Sequence, residues 1–226
     1  MEVGYFIYTI IITTLSVGAH LTVVPTVIKI YETESVHGFH LGHYLIKWIN
    51  FIMWIAYALS IQDVVILLTP LAGLMVSTPT LAIMARYSSQ KAYAVLLSSV
   101  GTMILLALFV AVTMQDELDR SDMLGSMATT TFLIMCTFPL VKLSRSAFCN
   151  RCDFEGYTSL LWALGENFLT WPWVFYSITI DPNEYLLVSS LGGAFGSTVV
   201  LLATLYQRAH ANLQKENKVS TREGRV

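Results

Sequence analysis

Two oppositely charged residues, Lys47 and Glu166, lie within long apolar runs of the sequence and are 119 positions apart. The same offset links two pairs of aromatic residues, Trp54 with Trp173 and Tyr57 with Tyr176. A charged side chain within a bilayer costs about 2.5–3.5 kcal/mol on insertion scales, which makes it a candidate functional group. We predict that Lys47 and Glu166 form an ion pair that braces or gates the molecule, with proton coupling as a weaker alternative. The competing interpretation is that Lys47 snorkels to the membrane surface while Glu166 bonds within its own bundle.

The segments that hold these residues are apolar enough to cross a membrane. Of the 226 residues, 55% are hydrophobic and 12% are charged, against about 25% charged residues in a typical soluble domain. A bilayer core of about 30 Å needs a helix of about 20 apolar residues. Apolar runs with few charges predict seven such helices, at residues 4–28, 42–60, 64–85, 92–114, 123–143, 157–179 and 185–207.

The basic residues predict the orientation of these helices, because loops on the cytoplasmic side are enriched in Lys and Arg. If the N-terminus is outside, eleven of the thirteen Lys and Arg residues lie inside. These are Lys29, Arg86, Lys91, Lys142, Arg145, Arg151, Arg208, Lys215, Lys218, Arg222 and Arg225. We therefore expect an extracellular or lumenal N-terminus and a cytoplasmic C-terminus.

An internal repeat divides the chain. WIAYALSIQD, ending at Asp63, corresponds to WVFYSITID, ending at Asp181, and the preceding helices carry Pro25 and Pro139 near their ends. Helices 1 to 3 therefore match helices 5 to 7, and helix 4 supplies the extra crossing that keeps the two units parallel. The predicted organisation is a first three-helix repeat at 1–87, a linker helix with an acidic outer loop at 88–122, a second repeat at 123–207 and a disordered cytoplasmic tail at 208–226.

These elements resemble the SWEET (MtN3/saliva) family of sugar transporters, within the PQ-loop transporter clan. The resemblance rests on Pro25, on ETESVHGFH followed by LIKWINFIMWIAYAL, and on the FPL and WVFY segments of the second repeat. Related PQ-loop transporters often have Gln after the helix proline, where this chain has Thr26 and Leu140. That difference favours SWEET.

The resemblance implies an all-α membrane protein of two parallel three-helix bundles joined by an inverting helix. It implies a carrier that moves mono- or disaccharides in either direction down their gradient, without enzymatic activity or a cofactor. The alternative is a proton-coupled PQ-loop carrier of amino acids or another small solute. Expected partners are the sugar, the lipid bilayer and further copies of the chain. The plasma membrane is the expected location, with the Golgi or endosomal and lysosomal membranes as alternatives.

Resemblance also suggests which residues bind the sugar. Trp54 and Trp173 are candidates because a flat indole can stack on the apolar face of a sugar ring. The family places an asparagine on helix 3 and another on helix 7, where alignment puts Leu71 and Ser189. A leucine cannot hydrogen-bond a hydroxyl, so discrimination between hexoses is expected to suffer. The substitutes are Asn50 and Asn167, for which a hydrogen bond between helices is the alternative role.

Hinge and gate residues follow from the same resemblance. Pro25 and Pro139 each remove a helical hydrogen bond and can act as flexing points for alternating access. Tyr57, Tyr176 and Asp181 close the outer ends of the middle helices, where a Tyr–Asp hydrogen bond between repeats would seal an outer gate.

Two further patterns do not support other chemistry. His37, His40 and His43 are three residues apart, and Cys149 with Cys152 forms a CxxC. Neither set has the second half of a zinc site, so no metal is expected. A net charge of −2 excludes a broad basic surface for nucleic acid.

Overall fold

The fold is entirely helical in the part of the chain that the structure describes, which confirms the predicted fold class. The structure is a computed structural model that describes residues 2–36, 39, 41–89, 99–102, 117–149, 160–180 and 182–223. Its labelled helices are α1 (Glu2–Leu21), α2 (Val24–Thr33), α3 (Leu41–Ile61), α4 (Val64–Arg86), α5 (Glu117–Cys149), α6 (Leu160–Thr179) and α7 (Glu184–Glu223). Of the predicted helix at 92–114, residues 99–102 are helical and the remainder lies outside the described residues.

Five stretches within the described residues are long and apolar enough to cross a bilayer. They are Phe6–Thr33, Leu41–Ile61, Val64–Arg86, Asp119–Val141 and Glu184–Tyr206. Many large apolar side chains on them face outward, including Met75 at 78% exposed and Phe195 at 71%. Such outward faces are unfavourable in water and are suited to lipid. The apolar exterior is therefore consistent with a membrane protein.

The helices form two bundles of the same arrangement. In the first bundle, α4 contacts both α1 and α3, and in the second, α7 contacts both α5 and α6. The bundles meet where α3 packs on α5 and where α1 packs on α6. Corresponding helices of the two repeats thus take corresponding places, and α3 and α6 face each other across the centre of the molecule.

The turn into the last helix of each bundle is fixed by a side-chain cap. Asp63 accepts hydrogen bonds from the backbone nitrogens of Val65 and Ile66, at 2.7 and 3.0 Å. Asn183 accepts one from Leu186, at 3.0 Å. Such caps satisfy backbone N–H groups that have no partner within the helix. Asp63 and Asn183 are therefore equivalent points from which positions in α4 and α7 can be counted.

The first helix is interrupted where the sequence predicts a single segment. Thr22 and Val23 form a turn between α1 and α2, and Pro25 lies in the first turn of α2. Proline has no N–H to donate to the carbonyl four residues earlier, so the helix breaks just before it. In the second repeat, Pro139 lies inside the continuous α5.

Two predicted boundaries differ from the structure. The expected acidic loop is helical from Glu117 onward, since acidic residues stabilise the positive end of a helix. The predicted disordered tail at 208–226 is helical as far as Glu223. No Gly or Pro interrupts the sequence between Gly196 and Gly224, so the end of the apolar pattern at residue 207 does not end the helix.

Close packing inside the first bundle depends on Gly73. A Cβ atom added there would lie 2.5 Å from Cζ of Phe51, a ring that lines the central cavity described below. Gly18, also inside a helix, has no heavy atom within 4 Å of such a Cβ. Alanine at Gly18 therefore changes helix propensity alone, whereas alanine at Gly73 also changes the packing against Phe51.

We predict opposite effects of alanine at these two glycines. Gly18→Ala should raise stability by up to about 1 kcal/mol, because alanine favours helices over glycine. Gly73→Ala should lower it by about 1–3 kcal/mol, because the methyl group overpacks the bundle against Phe51. Thermal unfolding of both variants in the same detergent measures the difference, and equal stabilisation by the two substitutions would contradict this packing.

Candidate functional site

A cavity lies between the two bundles and is lined from both sides. It has a volume of about 90 Å³, and α1, α3 and α4 of one repeat and α5, α6 and α7 of the other contribute its walls. Ligand pockets for drug-sized molecules are typically about 300–1,000 Å³, so in this conformation the cavity has room for only a few water molecules. A larger solute can enter only if the bundles move apart.

One end of the cavity is formed by the symmetric tryptophans. Trp54 and Trp173 line it from opposite repeats and are 7% and 8% exposed. Each indole meets a tyrosine edge-to-face within its own helix: Trp54 contacts Tyr57 at 5.7 Å and Trp173 contacts Tyr176 at 5.3 Å. The tyrosines hold the indoles in place, as expected for aromatic pairs of this geometry. The predicted tryptophan pair is thus brought together at one cavity.

The Lys47–Glu166 ion pair lies toward the other end of the cavity. Lys47 Nζ is 2.5 Å from Glu166 Oε1, and the two side chains are 14% and 11% exposed. Seven residues separate each from the tryptophan of the same helix, which is about 10 Å along a helix axis. Glu166 also lines a second, smaller cavity that extends to Pro139. The ion pair therefore lies at the junction of the two cavities and links α3 of one repeat to α6 of the other.

Polar residues of α4 and α7 face the cavity between these two ends. Ser189 lines it, as does Thr69, and each lies six residues after the cap of its helix. Leu71, which the sequence pairs with Ser189, is 38% exposed and does not line the cavity. The structural counterpart of Ser189 is therefore Thr69, a residue that can hydrogen-bond a hydroxyl.

The two asparagines proposed as substitutes have different surroundings. Asn50 lines the cavity, but its Nδ2 donates to the Ala128 carbonyl and to Thr131 Oγ1, both at 2.9 Å. Asn167 lies outside the cavity lining and donates to Thr198 Oγ1 at 2.8 Å and to Ser197 Oγ at 3.3 Å. Both amides thus join neighbouring helices, and Asn50 does so between repeats.

A hydrogen bond joins the repeats beyond the tryptophans, although with a partner that the sequence did not indicate. Asn183 Nδ2 donates to the Tyr57 hydroxyl at 2.7 Å. Asp181, predicted as the partner, lies outside the described residues. Tyr176 is fully buried and stacks on Tyr8, with ring centroids 6.2 Å apart. Asn183 was missed because its polar side chain follows Pro182 in a turn, where a helix cap is the simplest interpretation.

A second contact at that end also crosses the repeats. The Tyr8 hydroxyl donates to the carbonyl of Pro172 at 2.6 Å. Tyr8 lies on α1 and Pro172 on α6, so the bond joins the helices on the other side of the cavity from Tyr57 and Asn183. Together the two hydrogen bonds hold the bundles against each other at the tryptophan end of the cavity.

The predicted hinge prolines lie at different depths of the protein. Pro25 is exposed where α1 breaks, whereas Pro139 is buried and lines the second cavity. Their sequence symmetry is therefore not matched by equivalent local structure.

One cavity residue, His20, was missed in the sequence. His20 is 6% exposed and lies on α1 against Phe51, with ring centroids 5.0 Å apart. The sequence does show His20 as an ionisable residue inside an apolar run, which is a sign of a functional group in a membrane helix. It was missed because no residue of similar chemistry occupies the matching position of the second repeat.

Within the described residues no group of three or more His, Cys, Asp or Glu side chains could hold a metal ion. His43 lines the second cavity. His37, His40 and Cys152 lie outside the described residues, as does the side chain of Cys149.

Comparisons with known proteins agree with this architecture. Residues 6–92 match the family model MtN3_slv, described as a sugar efflux transporter for intercellular exchange. Two rice proteins, the bidirectional sugar transporters SWEET12 and SWEET13 of Oryza sativa subsp. japonica, are 25% and 24% identical over 201 residues. Those matches cover 85% and 86% of this chain and about two thirds of each relative, 65% and 67%.

A solved structure of a eukaryotic SWEET transporter has the same fold. It aligns with a TM-score of 0.75 over 92% of this chain and 98% of its own, at 15% sequence identity. The two-bundle arrangement is therefore found in a protein whose sequence is largely different.

We predict that removing either partner of the Lys47–Glu166 pair destabilises the protein more than removing both. Lys47→Met or Glu166→Gln should each cost about 3–5 kcal/mol, because each leaves a buried charge without its partner. The double variant should be more stable than the sum of the single changes implies. Thermal unfolding in detergent gives the four values of the cycle, and strictly additive effects would contradict a direct pair.

Proposed function

We propose, from the premise that the chain is a divergent member of the SWEET (MtN3/saliva) family, that it carries sugars across a membrane. In this proposal a mono- or disaccharide binds in the central cavity and crosses in either direction, down its gradient. The observation that carries it is the cavity itself, which lies between two repeats and combines two facing tryptophans with buried hydroxyl and imidazole groups. In this proposal the gradient of the solute supplies the driving force.

The composition of the cavity fits a neutral, ring-shaped solute better than a charged one. Trp54 and Trp173 offer flat apolar faces for the C–H surface of a sugar ring. Thr69, Ser189 and Ser190 contribute hydroxyl groups to the walls. The charges of Lys47 and Glu166 already neutralise each other, so a charged solute would compete with an existing ion pair. A neutral polyhydroxylated solute can bind without displacing either partner of the ion pair.

We propose alternating access because separate contacts close the two ends of the cavity. The bonds from Asn183 to Tyr57 and from Tyr8 to Pro172 hold the bundles together at the tryptophan end of the cavity. The Lys47–Glu166 pair holds them together at the junction with the second cavity. We propose that these are the two gates and that each transport cycle opens one while the other stays closed.

The flexing element of the first repeat is the break before Pro25. Val23 N donates weakly to the His20 carbonyl, at 3.5 Å, and the proline removes the next helical bond. A change of angle between α1 and α2 therefore disturbs few backbone hydrogen bonds. In the second repeat we propose that α5 flexes at Pro139, which lies inside this continuous helix and lines the second cavity.

The orientation and location of the protein are part of the proposal. Eleven of thirteen basic residues on one side support an extracellular or lumenal N-terminus and a cytoplasmic C-terminus. The tryptophan end then faces outward and the ion pair faces the cytoplasm. The plasma membrane and a homo-oligomer remain predictions from the family resemblance.

The domain boundaries are proposed on the same basis. The family match to residues 6–92 supports a first repeat at 1–87, and the arrangement of α5, α6 and α7 supports a second repeat at 123–207. The intervening 88–122 would include the inverting helix.

We predict that Trp173 is required for sugar uptake and that Trp171 is not. Trp171 lies on the same helix but is 52% exposed and faces away from the cavity. In transporter-deficient cells given a panel of radiolabelled sugars, Trp173→Ala should reduce uptake at least about tenfold, since it removes a stacking surface and leaves a void. Trp171→Ala should retain near-normal uptake at equal surface expression.

Two results would contradict the proposal. One is the absence of uptake of every sugar by the wild-type protein despite surface expression. The other is an equal loss of uptake in the two tryptophan variants, which would mean that the cavity is not the route.

A further inference from the structure

Two residues that line the central cavity carry three buried polar atoms without a hydrogen-bond partner among the described residues. These atoms are Nδ1 and Nε2 of His20 and Oγ1 of Thr69. Both side chains are more than nine-tenths buried, at 6% and 8% exposed. The Thr69 backbone lies beside the imidazole but outside hydrogen-bonding geometry. A buried polar atom without a partner is unfavourable, so three such atoms beside one cavity are expected to gain partners from a solute that enters it.

The second repeat presents a different polar surface to the same cavity. Ser189 and Ser190 donate their hydroxyl protons to the carbonyls of Leu186 and Leu187, at 3.0 and 3.1 Å. Thr170 donates to the Glu166 carbonyl, also at 3.0 Å. These hydroxyl protons are already used within the helices. What remains available to a solute on this side is the accepting capacity of the oxygens.

The first repeat can both donate and accept. A neutral imidazole donates from one nitrogen and accepts at the other, and the Thr69 hydroxyl does both. Counting back five residues from Pro25 reaches His20, whereas counting back five from Pro139 reaches Ile134. The imidazole therefore has no counterpart at the matching position, and the two sides of the cavity are chemically unlike.

We propose that His20 and Thr69 form a hydroxyl-binding subsite that fixes the orientation of the carried sugar. The inference rests on the proposed transport function. Because a sugar hydroxyl donates and accepts at once, it matches an imidazole nitrogen and a threonine hydroxyl that do the same. The sugar lies with one edge against α1 and α4 of the first repeat, its ring faces toward the tryptophans. Its opposite edge donates to the serines of α7.

The subsite predicts discrimination between sugars in a chain that has no asparagine at Ser189 or at its structural counterpart, Thr69. Discrimination depends on buried polar groups that a wrong solute leaves without a partner. His20 and Thr69 supply three such atoms on one side of the cavity. A sugar that lacks a hydroxyl at this edge would leave at least one of them without a partner.

The test compares analogues of the sugar that lack one hydroxyl each. Each analogue of the best-carried sugar is measured as a competitor of its uptake by the full-length protein. In the wild type, removing a hydroxyl that meets the subsite should weaken competition about 3- to 10-fold, the effect of one net hydrogen bond. In Thr69→Val and in His20→Leu, the penalty at the matching hydroxyl should disappear, because the protein group that sensed it is gone.

Matched variants separate recognition from folding. Thr13→Val removes a buried hydroxyl that also has no partner but does not line the cavity, so it should keep the wild-type pattern of competition. Thr69→Val is close to isosteric, which keeps the test available if His20→Leu does not fold. His20→Gln retains a donor and an acceptor and should restore part of the penalty.

The outcomes distinguish the subsite from the transport function. If Thr69→Val and His20→Leu transport the sugar and retain every wild-type penalty, the subsite is contradicted and transport stands. If the wild type takes up no sugar at all, the transport function and the subsite that depends on it are both contradicted.

Discussion

The Lys47–Glu166 ion pair is the interaction around which the two repeats are arranged. Taking one charge out of water costs several kcal/mol, and bulk water does not reach either residue inside a bilayer. Each charge therefore depends on the other. The helices that bear them, α3 and α6, belong to different bundles. Because Glu166 also lines the smaller cavity, separating the bundles at this point both breaks the pair and joins the cavities. In the proposed mechanism, opening this end therefore has an energetic cost, which binding or release of the solute offsets.

The repeats are equivalent in architecture but not in chemistry. α4 and α7 take the same place in their bundles and begin at equivalent caps, Asp63 and Asn183. Yet Asn183 also donates to Tyr57 of the other repeat. Likewise, α1 is broken before Pro25 whereas α5 continues through Pro139. The two repeats have the same backbone arrangement but different side chains, so the cavity between them has two chemically different walls. Such a cavity can hold an asymmetric solute in one orientation.

The sequence was sufficient for the fold and for the residues that have a partner at a constant offset. Lys47 with Glu166 and Trp54 with Trp173 were found because 119 positions separate both pairs, and the structure brings each pair to the same cavity. The offset of 119 does not hold beyond the turns that precede α4 and α7. The caps Asp63 and Asn183 are 120 positions apart, and the same offset makes Thr69 the counterpart of Ser189. Aligning the two segments by sequence gave Leu71 instead, which is 118 positions before Ser189. His20 has no counterpart in the second repeat, and Asn183 acquires its role only through the position of Tyr57 in space. Periodicity carries no information about either contact.

Counterflow in proteoliposomes tests the central claim, that one cavity between the repeats binds a sugar and opens to each side in turn. Vesicles containing the purified protein are loaded with unlabelled sugar and diluted into a trace of the same sugar carrying a radiolabel, with equal pH on both sides. A carrier that cycles between two openings predicts transient accumulation of label above its equilibrium level without a proton gradient, and loss of that overshoot in Trp173→Ala. Equilibration without an overshoot, or accumulation only when a pH gradient is imposed, would contradict the account.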